Sequence, residues 1–142
     1  MLLQPKILKY KKFFKLRDTS GLTKDNGLIT LGEFGLKATE SGILNGKQME
    51  TLRANILKKL KVLDKNAKVY MKVFPALPIS KKPAEVRMGG GKGAVEFYGC
   101  VVKLGKVLVE VVCNGTSKEI KEILASSSNK LPFKTKVVER WV

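Results

Sequence analysis

The sequence predicts an α+β protein: a mostly antiparallel sheet with two helices packed on one face, a basic N-terminal extension and a long glycine-rich basic loop. Three observations carry that expectation. Short apolar runs, one of them alternating with a two-residue period, recur along the chain and are too short for helices. Two segments open on a capping residue followed three positions later by Gln or Glu, and an apolar stripe at helical spacing follows each. A turn at Leu104-Gly105 and irregular connections elsewhere favour antiparallel pairing over parallel βαβ units. On this reading residues 1–24 are a basic extension, and residues 25–142 form a single α+β body from which loop 75–94 protrudes.

The elements follow in order. Residues 27–38 hold the apolar, glycine-broken run Leu28-Ile29-Thr30-Leu31-Gly32-Glu33-Phe34-Gly35-Leu36, expected to be a bulged strand or a loop lying close to another backbone. The first helix starts at Asn45, with Gln48 completing a capping box and Leu44 placed to staple against Met49. Met49, Leu52, Ile56 and Leu60 form its core stripe, while Lys58, Lys59 and Lys61 read as a solvated face. Residues 68–74 alternate: Val69, Met71 and Val73 take the core face, and Lys68, Tyr70 and Lys72 the other, which faces either RNA or water. Pro75, Pro78 and Pro83 argue against ladder pairing and for a stiff extended arm. Residues 95–102 and 106–112 read as a hairpin about Leu104-Gly105. Thr116 and Glu119 open a second helix with Ile120, Ile123 and Leu124 inward, Ser126-Ser127-Ser128-Asn129 breaks it, and residues 134–138 form the last strand.

The most informative segment is Lys81-Lys82-Pro83-Ala84-Glu85-Val86-Arg87-Met88-Gly89-Gly90-Gly91-Lys92-Gly93. Its glycines remove the side chains that hold another backbone away, and Lys81, Lys82, Arg87 and Lys92 supply cations that a polyanion draws in. Such a loop suits a nucleic-acid probe. The whole chain carries a formal charge of +16 over 142 residues, with no histidine. That field selects polyanionic partners and makes the isolated protein repel itself. The charge is uneven: +6 over residues 1–24, +5 over 67–93, but zero over 94–116. In the extension Lys6, Lys9, Lys11, Lys12, Lys15 and Arg17 interleave with Tyr10, Phe13 and Phe14, a mixture that pairs with phosphate and stacks on bases or sugars.

Enzymatic readings find little support. Without histidine the usual general base near neutral pH is missing, and with it the Ser-His and Cys-His nucleophile pairs. Glu33 with Glu40, and Glu119 with Glu122, are explained by capping and surface charge. Cys100 and Cys113 form neither a metal-ligand cluster nor a disulfide framework, and in a hairpin about Leu104-Gly105 position 100 would fall opposite roughly 109, so both read as small buried hydrophobes. No cofactor or metal is expected. Gly89-x-Gly91-x-x-Ala94 fits the loose dinucleotide fingerprint but lies between a proline arm and a strand, where that mechanism needs a strand before and a helix after. A Walker loop would need Ser or Thr after Gly-Lys, where Gly93 stands. The apolar stretches at 95–102 and 107–113 are far short of the roughly 20 residues of a spanning helix, and the start carries no signal-peptide core. Neither a membrane nor a homo-oligomer is expected.

Several motifs together resemble a known family. They are Met1-Leu2-Leu3-Gln4-Pro5-Lys6 with Lys9-Tyr10-Lys11-Lys12, then Gly32-Glu33-Phe34-Gly35-Leu36-Lys37-Ala38, the arm and loop from Phe74-Pro75 to Lys92-Gly93, Val101-Val102-Lys103-Leu104-Gly105-Lys106-Val107-Leu108, and Lys130-Leu131-Pro132-Phe133-Lys134-Thr135-Lys136. In this order they resemble the bacterial-type large-subunit ribosomal protein sixteen, a universal ribosomal protein family, over nearly the whole chain. The resemblance implies a non-catalytic structural constituent of the large ribosomal subunit, bound to large-subunit rRNA near the A site and peptidyl-transferase centre and supporting tRNA positioning. Its implied partners are large-subunit rRNA, A-site tRNA and neighbouring large-subunit ribosomal proteins. By position, Lys6, Lys9, Tyr10, Lys11, Lys12, Lys15, Arg17, Lys134 and Lys136 would contact rRNA. Lys81, Lys82, Arg87, Met88, Gly89, Gly90, Gly91, Lys92 and Gly93 would form the loop toward the tRNA and catalytic centre.

The chain also departs from the family pattern. Phe13, Phe14 and Lys15 stand where a histidine and further arginines are common, and Tyr98 where a tryptophan is common. Trp141 either packs on the body or docks on a neighbour. Twenty-four of the 28 basic residues are lysine, as expected of an AT-rich genome, and the family motif starts at Met1 with no room for an import presequence. Both suit an organelle-encoded protein of the mitochondrial ribosome, with a plastid or bacterial cytoplasm as alternatives. The rival class is a free-standing RNA-binding chaperone or ribosome maturation factor, and a DNA-compacting protein has less support.

Overall fold

A computed structural model describes residues 4–14, 21–24 and 27–140. In these residues the chain runs β1 (Phe34–Ala38), β2 (Gly42–Asn45), α1 (Gly46–Leu63), β3 (Lys68–Met71), β4 (Leu77–Ser80), β5 (Val95–Val102), β6 (Val107–Val112), α2 (Ser117–Ser128) and β7 (Thr135–Glu139). The class is α+β, with every strand pairing between these elements antiparallel. The strands divide into two sheets, β3-β6-β1-β7 and β2-β5-β4. That division corrects the expected hairpin: β5 and β6 are consecutive but lie in different sheets, and the turn at Leu104-Gly105 carries the chain from one to the other.

Helix α1 forms as its sequence dictates. The Asn45 side chain accepts from the Lys47 amide at 3.2 Å, and the Gln48 side chain accepts from the Asn45 amide at 3.0 Å. Met49, Leu52, Ile56 and Leu60 are fully buried. They meet Leu36, Val109 and Val111 from the four-stranded sheet, Leu44 and Val102 from the three-stranded one, and Ile120 and Leu124 of α2 in one core. Cys113 belongs to that core and Cys100 packs against it as a half-buried side chain. Removing three carbons of such a side chain, as in Leu52→Ala, costs about 2–5 kcal/mol.

Three local expectations change. Thr116 is the N-cap of α2, but its hydroxyl donates to the Glu119 carboxylate at 2.5 Å instead of accepting a helix amide, so the two side chains bond each other and the expected box does not close. The serine run ends α2 only at its far side, with Ser128 the last helical residue and Asn129 the C-cap: Ser126 and Ser127 both donate to the Ile123 carbonyl and Ser128 to that of Ala125, so the hydroxyls are satisfied within the helix. The proline arm includes a real strand, with Pro78 paired opposite Tyr98 in β4. A strand there is possible because β4 is a sheet edge, where the amide that proline lacks can face away from the ladder.

Candidate nucleic-acid interface

The glycine-rich segment is a finger springing from the β4–β5 pair. At its base the Lys81 amide donates to the Ala94 carbonyl at 3.1 Å. Gly93 sits against that crossing, where a Cβ would come within 2.3 Å of the Lys81 carbonyl oxygen. Beyond the base, residues 81–92 are all exposed. A turn closes Pro83 to Val86 (3.2 Å), and Gly89 and Gly91 hold φ of +92° and +79° with nothing within 4 Å of a would-be Cβ. These two glycines serve conformation, whereas Gly93 serves close approach.

The cations differ in how far they are engaged. Lys81 pairs with Glu96 at 3.6 Å, a wet contact of little energetic weight. Among the described residues neither Lys82 nor Arg87 has an ion-pair partner, and Met88 projects fully into solvent. A planar guanidinium held clear of carboxylates is suited to two-point contact with phosphate or a base edge.

The structure brings the basic extension onto this finger. Lys12 Nζ donates to the Lys92 carbonyl at 3.0 Å, and Lys92 Nζ donates back to the Phe13 carbonyl while lying 5.7 Å from the centre of the Phe14 ring. Lys6, Lys9, Tyr10 and Lys11 are exposed, with Lys9 Nζ 5.6 Å from the Tyr10 ring. Lys15, Arg17 and Trp141 lie outside the described residues. Lys134 and Lys136 sit elsewhere, at the β7 edge of the four-stranded sheet. Lys134 is anchored by Glu40, which takes both its ammonium (3.2 Å) and its amide (3.1 Å), and these bonds hold the exposed Glu40 carboxyl below its usual pKa. Lys136 stands opposite Lys37 across the β7–β1 ladder, a like-charge pairing that an anion would relieve.

One residue that organises this molecule gave no sign in the sequence. Glu110 is fully buried in the central strand β6. Its carboxylate accepts from the amides of Leu31 (2.6 Å), Gly32 (3.0 Å) and Thr30 (3.3 Å), and Lys72 lies 3.4 Å away. Burial pushes its pKa up, but the amides and Lys72 outweigh burial and leave it lowered. The charge neutrality of residues 94–116 concealed a carboxylate whose donors lie almost 80 residues earlier. Of the two readings of the Lys68-Tyr70-Lys72 face, Lys72 is thus engaged within the protein, bonding Thr30 Oγ1 at 2.8 Å.

Among the described residues no helix is long and apolar enough to cross a membrane, and no group of three or more His, Cys, Asp or Glu could hold a metal ion. The exposed finger and the tail on it are cation-bearing surfaces with aromatic side chains among them, which is the chemistry of polyanion binding.

Comparison with known proteins places this architecture. Residues 5–138 match the family described as ribosomal protein L16p/L10e. The protein named large ribosomal subunit protein uL16 of Psychrobacter arcticus is 42% identical over 142 residues, covering 99% of each chain. Its namesake in Acinetobacter baumannii is 41% identical with the same coverage. A third, from Neorickettsia sennetsu, is 44% identical over 140 residues, 98% of this chain and 96% of that one. With its residues matched from 5 to 138 and its relatives aligned end to end, the chain belongs to the ribosomal protein L16p/L10e family.

Proposed function

We propose that this chain is a structural constituent of the large ribosomal subunit, held by its basic extension on large-subunit rRNA and reaching with residues 81–93 toward the A-site tRNA near the peptidyl-transferase centre. The observation that carries this reading is the finger itself: a segment closed at its base by Lys81 and Ala94, fully exposed beyond it, and tipped by Arg87 and Met88. A lone charged loop would cost the protein self-repulsion, and phosphate neutralisation removes that cost. The names of the full-length relatives support the subunit. Neighbouring large-subunit proteins are the further partners, and the role is positional rather than catalytic. Lys6, Lys9, Tyr10, Lys11, Lys12, Lys15, Arg17, Lys134 and Lys136 are the rRNA contacts, with Lys134 the most internally satisfied of those described.

The compartment follows from the lysine bias, which points to an AT-rich genome and a mitochondrial ribosome, while the bacterial relatives fit a bacterial cytoplasm. A nuclear gene with a cleaved leader would overturn the organelle-encoded reading.

Stoichiometry tests the assignment. The protein should sediment with intact large subunits at one copy each through a high-salt wash. Substoichiometric, readily stripped association would support a chaperone or maturation factor instead. Salt dependence alone does not separate them, since neutralising about six phosphates loses roughly a thousandfold in affinity over a fourfold salt rise for any basic protein.

A further inference from the structure

The three-stranded sheet turns one face away from the shared core. Register puts Ile43 of β2, Gly99 and Val101 of β5, and Leu77 and Ile79 of β4 on that face. It is apolar and only half covered, with Ile43 39% exposed. At its centre Gly99 has no side chain, so Ile79 and Ile43 close over it; a Cβ there would lie 3.0 Å from Ile79 Cδ1 and 3.2 Å from Ile43 Cγ2. Phe13, Phe14 and Lys92 complete the walls of a cavity of about 230 Å³ against Ile43 and β4.

We propose that this cavity takes one unstacked base of large-subunit RNA, with Phe14 as the stacking surface and Lys92 at the rim holding the attached phosphate. The inference rests on the ribosomal reading above and names a single contact within it. Phe14 is 96% exposed although it sits at a cavity mouth, so its ring covers almost nothing in the protein alone. Aromatic rings at such mouths bind extruded bases because every base presents a flat π-face, and single-stranded positions of RNA are the ones available to them. Lys92 is already oriented: its ammonium is held by the Phe13 carbonyl and lies over the Phe14 ring, and Lys12 is anchored on the carbonyl of the same residue. Among the described residues lining the cavity none is acidic. A protein segment entering here would have to bring its own carboxylates to meet two ammonium groups. RNA brings a phosphate with every base.

The test uses intact large subunits. Ultraviolet cross-linking of subunits carrying the unaltered chain should leave a nucleotide adduct on Phe13 or Phe14, read by mass spectrometry of the tail peptide. Chemical probing of subunits carrying Phe14→Ala should show one rRNA base whose exposed population rises on the order of tenfold. Phe14→Trp should restore its protection. The proposal is overturned if the chain is present at one copy per subunit and yet shows no adduct and no change at any base, or if the cross-link is to a protein. Should Phe14→Ala fail to enter subunits, the adduct on the unaltered chain decides alone. Absence of the unaltered chain from large subunits would instead remove the ribosomal reading, and this inference with it.

Discussion

Two glycine-bearing segments in this molecule do opposite work. In residues 27–35 the glycines admit the protein's own backbone: a Cβ on Gly32 would lie 2.7 Å from the Val111 carbonyl oxygen, and one on Gly35 2.8 Å from that of Val109. The buried carboxylate of Glu110 ties this loop down through three successive amides. In residues 89–93, Gly89 and Gly91 meet nothing and instead take backbone angles that other residues resist. Cations, not a carboxylate, flank them. Glycine content therefore does not tell whether a loop is packed or presented. The surroundings of its amides do: a buried carboxylate from a distant strand takes three of them in one case, and in the other Gly90 makes only a local turn bond to the Arg87 carbonyl, among exposed cations.

The contrast can be broken most severely at Glu110. Glu110→Gln keeps the shape but loses the charge that satisfies the loop amides and faces Lys72, so the isolated protein should lose on the order of 3 kcal/mol in urea unfolding. The same group sets a pH dependence. Because its folded pKa is lowered, its contribution is present above the unfolded value of about 4.3 and is lost as pH falls through the folded value. Acid sensitivity below about pH 4.3 should therefore be reduced in Glu110→Gln relative to the unaltered chain. An unchanged acid limb would mean that other carboxylates carry it.

Gly32→Ala comes next, since the new methyl meets the backbone of Val111, which cannot swing away. A loss of about 2 kcal/mol is expected. Gly89→Ala probes the opposite situation: open space but a φ of +92° should cost only about 1 kcal/mol. If the two substitutions destabilise equally, crowding is not what separates the loops.

Smallest in stability, though not in function, is Arg87→Ala. It should change unfolding by less than about 0.5 kcal/mol. Ribosomes carrying it should nevertheless accommodate aminoacyl-tRNA more slowly in a pre-steady-state assay. Unaltered elongation kinetics would remove the finger from the tRNA path.

Much of this was legible along the chain because it depends on residues a few positions apart. The Asn45–Gln48 capping box, the Met49-Leu52-Ile56-Leu60 stripe and the inward Ile120 and Leu124 are set by helical spacing and by side chains that reach their own backbone. The finger's cations and glycines could be read directly, as could its exposure, since no apolar residues alternate through it. Pro78 misled because proline excludes a central strand but not an edge one, and edge or centre is a property of the sheet. The serines of α2 misled because hydroxyls that favour turns can also bond back within a helix.

What the linear order alone determined is where charge, caps and apolar stripes fall, because covalent spacing already places those groups within reach of each other. Tertiary structure decided that β5 and β6 part into separate sheets, that Glu110 finds the amides of Thr30, Leu31 and Gly32, and that Phe13, Phe14 and Lys12 settle on Lys92. The last two join segments dozens of residues apart, the first separates neighbouring ones, and in all three which partners meet depends on the packing of the whole core rather than on any local preference.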